Sequence, residues 1–131
     1  VVEKAVALFF GKTPDGFFQH DETLAPVMKH KVSDLAAQQL RYLEIKLLLS
    51  TRSKFVLLDE PFSGISPLQV QHIKALIVAA SATKGIILTD HDYRNVLDVA
   101  NRYCLIFDGG IKPITDKSEL VKWGYISDSK A

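Results

Sequence analysis

Apolar residues at Val2, Ala5, Val6 and Phe9 recur at helical spacing and predict a first helix over residues 2–10. Gly11 to about Leu24 is rich in turn formers, and Pro14-Asp15-Gly16 breaks any regular element there. Residues 25–34 are ambiguous by pattern. Leu40, Leu43 and Leu47 make one stripe of a second helix, predicted from about Leu35 to Leu49, with Ser33 or Asp34 as its cap.

The next pattern is different. Phe55-Val56-Leu57-Leu58 is a short continuous apolar run, the signature of a parallel strand buried on both faces. Ser66-Pro67 reads as N-cap and first-turn proline of a helix whose stripe is Val70, Ile73, Leu76, Ile77 and Ala80. Lys84-Gly85 ends it, and Ile86-Ile87-Leu88-Thr89 is a second buried strand. A helix from about Tyr93 to Ala100 and a strand from Tyr103 to Phe107 follow. Asp108-Gly109-Gly110 then turns into a strand at Ile111–Ile114. Asp116 or Ser118 caps a last short helix. Strand, helix, strand, helix, strand in that order predicts an α/β fold around a parallel sheet. There is no repeat, low-complexity tract or interdomain linker.

Composition narrows the classes. With 131 residues the chain is one domain or part of one, and 47% hydrophobic with 24% charged content suits an ordinary soluble globular fold. A net charge of +1 gives no broad electrostatic footprint and argues against a nucleic-acid partner. Cys104 is the only cysteine, which excludes an intrachain disulfide framework and a cysteine-based zinc site, and makes a reducing compartment the simpler expectation. No apolar run approaches the roughly 18 residues of a membrane span. The amphipathic start has an early acid, Glu3, and lacks a basic region, so no signal peptide is expected.

One predicted strand ends in Asp59-Glu60-Pro61 and the other in Thr89-Asp90-His91. Open parallel sheets bind ligands beyond the carboxyl ends of their strands, so two carboxylates and an imidazole reach one rim. Asp59 suits a magnesium ion held partly through water. Glu60 suits the orientation or deprotonation of water, and His91 suits donation to developing phosphoryl charge. An acidic pair after a strand is more often only a solvated strand end; its surroundings raise this one.

Those surroundings carry a resemblance. Phe55-Val56-Leu57-Leu58-Asp59-Glu60-Pro61 resembles the Walker B motif of ABC ATPases with their catalytic glutamate. Phe62-Ser63-Gly64-Ile65-Ser66-Pro67 resembles the D-loop, and Leu88-Thr89-Asp90-His91-Asp92 the switch-histidine segment. Upstream, Leu35-Ala36-Ala37-Gln38-Gln39-Leu40-Arg41-Tyr42-Leu43-Glu44 is similar to the family's signature motif and its helix, without gaps. The resemblance covers about residues 30–123. Within the family, the segments after Thr89 and Ser63 look most like branched-chain amino acid importers and lipopolysaccharide-export ATPases.

The resemblance implies a P-loop NTPase-like α/β core without its N-terminal P-loop lobe. Residues 1–34 would close the helical subdomain and 35–131 would form the C-terminal part of the core. It implies Glu60 and His91 as catalytic, Asp59 at Mg2+, and Ala36, Ala37, Gln38, Gln39, Ser63, Gly64 and Ser66 at ATP. Both ligands are expected only with a Walker A region or a partner. It implies a second ABC ATPase subunit and transmembrane permease subunits as partners, at the cytoplasmic, inner face of the cell membrane. The signature, however, has Ala36, Ala37 and Gln38 where the family has serine and two glycines, and Ser66 where the D-loop usually has aspartate. A hydroxyl donor is lost and a Cβ is added where backbone meets phosphate. A P-loop needs Gly-x-x-x-x-Gly-Lys-Ser/Thr. Gly11-Lys12-Thr13 is a fragment of it, but Val6 stands at the earlier glycine and Pro14-Asp15-Gly16 follows in place of a helix. The chain is therefore expected to start just beyond the family's glutamine loop and to be inactive alone.

Three functions remain in play: the distal half of a transporter's nucleotide-binding domain; a degenerate, non-catalytic interaction module; and a soluble ABC ATPase of DNA repair or translation, which the lack of a long insertion disfavours. His20, His30 and His72 lack ligand spacing and are expected at the surface. Cys104 is expected to be buried packing. Trp123 is expected as a capping hydrophobe, and Phe9, Phe10, Phe17 and Phe18 as core, with a transporter's coupling helix as the alternative contact.

Overall fold

The computed structural model describes residues 1–127. Helix α1 spans Val2–Phe10 and buries Val2 and Val6. The inward face continues to Phe10, four residues on, while Phe9, expected on that face, is 53% exposed. Gly11, at φ 82°, ends α1 in the left-handed conformation typical of helix C-termini. The Gly11-Lys12-Thr13 fragment is thus a helix end. The stretch without a clear period forms two short 3-10 turns, Ala25–Val27 and Val32–Asp34.

Between them and α1 lies a buried carboxylate. Asp21 Oδ1 accepts from the Thr23 and Leu24 amides at 2.9 and 2.7 Å. Its Oδ2 accepts from the Tyr42 hydroxyl at 3.1 Å and forms an ion pair with Lys46. The Lys46 ammonium also sits 4.9 Å from the centre of the Phe17 ring. A charge this deep persists because every side of it is paired.

Helix α2 spans Ala37–Leu49 and buries Tyr42, Leu43, Ile45 and Leu49. Ala36 is its N-cap residue, not Ser33 or Asp34, which both lie within the preceding 3-10 turn. The Gln39 side chain accepts from the Ala36 amide at 3.0 Å, one arm of a capping box. The expected Leu40-Leu43-Leu47 stripe is rotated. Tyr42 turns inward because its hydroxyl has Asp21 to bind, which leaves Leu40 36% exposed.

Strand β1 (Phe55–Asp59), helix α3 (Pro67–Ser81) and strand β2 (Gly85–Thr89) form a parallel βαβ unit, paired from Phe55↔Gly85 to Asp59↔Thr89. Ser66 caps α3, accepting from the Gln69 amide at 3.4 Å, with Pro67 in the first turn. Val56 and Leu58 of β1 join α2 and α3 in the main core. The strands were expected to be buried on both faces; here Phe55, Leu57 and Ile87 are 72%, 74% and 60% exposed.

Helix α4 (Tyr93–Val99), strands β3 (Tyr103–Phe107) and β4 (Gly110–Ile114) and helix α5 (Ser118–Lys122) complete the described chain. β3 was expected as a third parallel strand. Among the described residues it pairs only with β4, antiparallel, and is not bonded to β2. Asp108 and Gly109 both take positive φ, 49° and 71°, the geometry of a tight two-residue hairpin turn. Leu105, Ile114 and Leu120 make a small second core with Trp123 packed on it. Leu105 points into that core, so its neighbour Cys104 faces outward and is exposed rather than buried. Lys117, not Asp116 or Ser118, is the N-cap residue of α5 and gives no side-chain cap, because Ser118 is already the first helical residue. Asp116, one residue before the cap, accepts from the Ser118 amide at 2.7 Å; the Ser118 side chain and this amide hold its carboxyl below the usual range.

Candidate functional site at the carboxyl edge of the parallel sheet

β1 and β2 end level, so Asp59 and Thr89 are direct partners, and the Thr89 hydroxyl donates to Asp59 Oδ1. The Glu60 amide donates to the Thr89 carbonyl at 2.8 Å, one step beyond the ladder. Glu60 then leaves the strand at φ 46°, a left-handed conformation that costs a side chain of this type roughly 1–2 kcal/mol. Several contacts hold it there. Arg41 Nη2 donates to the carbonyls of Asp59 and Glu60, both at 2.9 Å. The Ser63 amide donates to the Glu60 carbonyl at 3.2 Å, and the Phe62 amide to Asp90 Oδ2 at 3.2 Å. Fully buried Pro61 and buried Phe62 anchor the turn beneath.

This geometry delivers the Glu60 carboxylate to His91. Oε1 and Nδ1 are 3.3 Å apart, with both side chains open to solvent. Tyr125 donates its hydroxyl to the His91 carbonyl at 3.2 Å, tying α5's far end to the same loop. A cavity of about 270 Å³ opens beside the pair, floored by Leu88, Leu105 and Ile114. Asp59, Glu60 and His91 are therefore gathered on one edge, as their positions after two parallel strands required.

The other predicted contacts lie nearby by way of α2. Ala36 and Ala37 are exposed at its start. Gln38 Oε1 accepts from the Ser66 amide at 3.2 Å, joining signature-like and D-loop-like segments within one chain. Gln39 is occupied with the Ala36 amide. Ser63 and Gly64 are exposed in the turn after Glu60. Arg41, Thr89 and Tyr125 have contacts here that were not anticipated. Thr89 was accessible from strand alignment alone, since equal strand ends place it opposite Asp59; Arg41 and Tyr125 act over 18 and 34 residues and leave no local signal.

Among the described residues, no three His, Cys, Asp or Glu side chains gather as a metal cage. A single exposed carboxylate beside a threonine hydroxyl fits magnesium, which keeps several waters and takes few protein ligands. The start of α2 favours an anion through its first-turn amides, although Gln39 already engages that of Ala36.

No family model matches the chain. Individual proteins do. It is 38% identical over 78 residues to the lipopolysaccharide export system ATP-binding protein LptB of Haemophilus influenzae, covering 59% of this chain and 32% of that one. It is 31% identical over 109 residues to LptB of Acidithiobacillus ferridurans, covering 79% and 45%. This chain is homologous to ABC transporter ATP-binding proteins. A third relative, a probable ABC transporter ATP-binding protein of Azorhizobium caulinodans, is 35% identical over 88 residues, covering 66% of this chain and 31% of that one. The chain spans less than half the length of these relatives. Among the described residues no helix is long and apolar enough to cross a membrane.

Proposed function

We propose that this chain is part of the nucleotide-binding domain of an ABC transporter that couples ATP binding and hydrolysis to transport. The observation that carries the reading is the Glu60–His91 pair, 3.3 Å apart beside Asp59 at the carboxyl edge of parallel strands. Asp59 would hold Mg2+, which neutralises phosphate charge when bound. Glu60 takes a proton from, or orients, the attacking water, and His91, beside it, donates toward the γ-phosphate. The phosphate loop would come from the rest of the full-length protein. Ala36, Ala37, Gln38, Gln39, Ser63, Gly64 and Ser66 would face the nucleotide of a second ABC ATPase subunit, in a dimer docked on permease subunits at the cytoplasmic face. Residues 1–34 would then be the end of the helical subdomain and 35–131 the distal core; residues 128–131 lie outside the described residues. The homology to LptB supports lipopolysaccharide export as the first cargo to test.

The test is Glu60→Gln in the full-length protein. Turnover should fall at least about 100-fold with ATP binding retained, because the amide cannot accept a proton while Asp59 is intact. Turnover near that of the unaltered protein would remove Glu60 from the site. A second reading, a degenerate docking module, draws on Ala36, Ala37 and Gln38; absence of any ATPase activity in the full-length protein with its permease would favour it.

A further inference from the structure

We propose that Arg41 and Gln38 form an intrachain clamp in which α2 sets the backbone of Glu60, both acting as positioning residues. The Glu60 role rests on the function proposed above; the clamp itself rests on contacts. Gln38 and Arg41 are three residues apart and share one face of α2. From that face Gln38 Oε1 holds the Ser66 amide at 3.2 Å, and Arg41 Nη2 holds two carbonyls, of Asp59 and Glu60, at 2.9 Å each. The whole turn from β1 to α3 is thus gripped at both ends by the first two turns of α2.

The double contact of Arg41 has a geometric meaning. Successive residues of a strand alternate in direction, so neighbouring carbonyls diverge. One nitrogen reaches both only because the strand breaks at Glu60, where φ is 46°. Arg41 therefore selects the turned conformation over a continued strand, and that conformation brings Glu60 Oε1 to His91. Gln38 stands where the family resemblance has glycine and binds the amide of Ser66, which stands where it has aspartate. These two departures meet each other. A displacement of the start of α2 reaches Glu60 directly, without passing through the core.

The test uses the full-length protein with Arg41→Ala, Arg41→Lys and Gln38→Gly, followed by amide hydrogen exchange. Arg41→Ala should speed exchange across residues 60–66 by about tenfold, the effect of losing hydrogen bonds to a charged group, and Arg41→Lys by less. Gln38→Gly should speed the Ser66 amide most. Protection of α3 and β2 should be unchanged. In steady state, Arg41→Ala should lower kcat about tenfold with KM within about twofold, the pattern of a misplaced catalytic group, with partial recovery in Arg41→Lys. Unchanged exchange at 60–66, or equally faster exchange throughout the domain, overturns the clamp. Normal kcat in Arg41→Ala alongside an inactive Glu60→Gln overturns the positioning role. Normal turnover in Glu60→Gln overturns the catalytic reading of Glu60 instead, while the exchange data still judge the clamp.

Discussion

Asp59 and Thr89 close the parallel ladder as register partners, and the Thr89 hydroxyl donates to the Asp59 carboxylate. The bond fixes one oxygen of the residue proposed to hold magnesium, and the other has no hydrogen-bond partner among the described residues. Thr89→Val keeps shape and β-branching but removes the donor. A hydrogen bond to a charged group contributes roughly 1.5–3 kcal/mol, so the Mg2+ concentration for half-maximal ATPase activity should rise about tenfold in the full-length protein. Titration of activity against Mg2+ checks this; an unmoved midpoint separates Thr89 from the metal site.

A second prediction concerns the buried carboxylate. The Tyr42 hydroxyl titrates well above the ordinary tyrosine range, first because of burial, then because of the Asp21 charge and the hydrogen bond to it. Above about pH 10 the unfolded chain sheds this proton while the folded chain keeps it. The unfolded state then binds fewer protons, so stability falls as pH rises past that point. Tyr42→Phe should flatten the alkaline limb of a stability–pH curve, at a cost near neutrality of about 1–2 kcal/mol. Asp21→Ala strands Lys46 and should cost about 3 kcal/mol at neutral pH. Urea unfolding at pH 7 and pH 10.5 measures both. An equal alkaline slope in Tyr42→Phe would assign it elsewhere.

What could be read from the chain alone divides by range. Ser66-Pro67, the Asp108-Gly109 turn and the strand ends at Asp59 and Thr89 are local features, set by residues adjacent in sequence, and they stand where expected. The inward turn of Tyr42 was not legible, because it depends on a carboxylate 21 residues away. Nor was the half-buried place of His72, expected at the surface, whose Nδ1 lies 3.2 Å from the Thr23 hydroxyl. The apolar run at Phe55–Leu58 says that both faces suit burial, but not what covers them. Among the described residues, only the side of Val56 and Leu58 has helices on it. For the same reason β3 looked like a parallel strand by composition and pairs only with its hairpin partner.

That uncovered face leads to a third prediction. Parallel sheets are stable when both faces are covered, and contiguous exposed apolar surface promotes association. With Phe55, Leu57 and Ile87 more than half exposed, the isolated 131-residue chain should self-associate. Leu57→Glu should shift it toward monomer without lowering its unfolding midpoint, because that side chain contributes little burial here. Light scattering across a concentration series decides it. A monomer at high concentration in the unaltered chain would count against the prediction.

The last prediction concerns the start of α2, where the chain departs most from the family it resembles. A serine at position 36 would return a hydroxyl donor for phosphate, and glycine at 37 would return room for close approach. Ala36→Ser with Ala37→Gly should therefore strengthen ATP-driven dimerisation of the full-length protein about tenfold, again the effect of one hydrogen bond to a charged group. The third family residue behaves differently. Glycine at 38 would also remove the acceptor of the Ser66 amide and loosen the turn that follows Glu60. Gly in a first helical turn further carries a backbone entropy cost of up to about 1 kcal/mol. The triple variant should gain less than the double, even though it is nearer the family pattern. Dimer fraction against ATP concentration, in a Glu60→Gln background where hydrolysis cannot blur the curve, measures each step. If the triple variant exceeds the double, Gln38 obstructs the nucleotide more than it supports Ser66. If neither moves the curve, residues 35–39 are not the working signature, and the partner subunit supplies it.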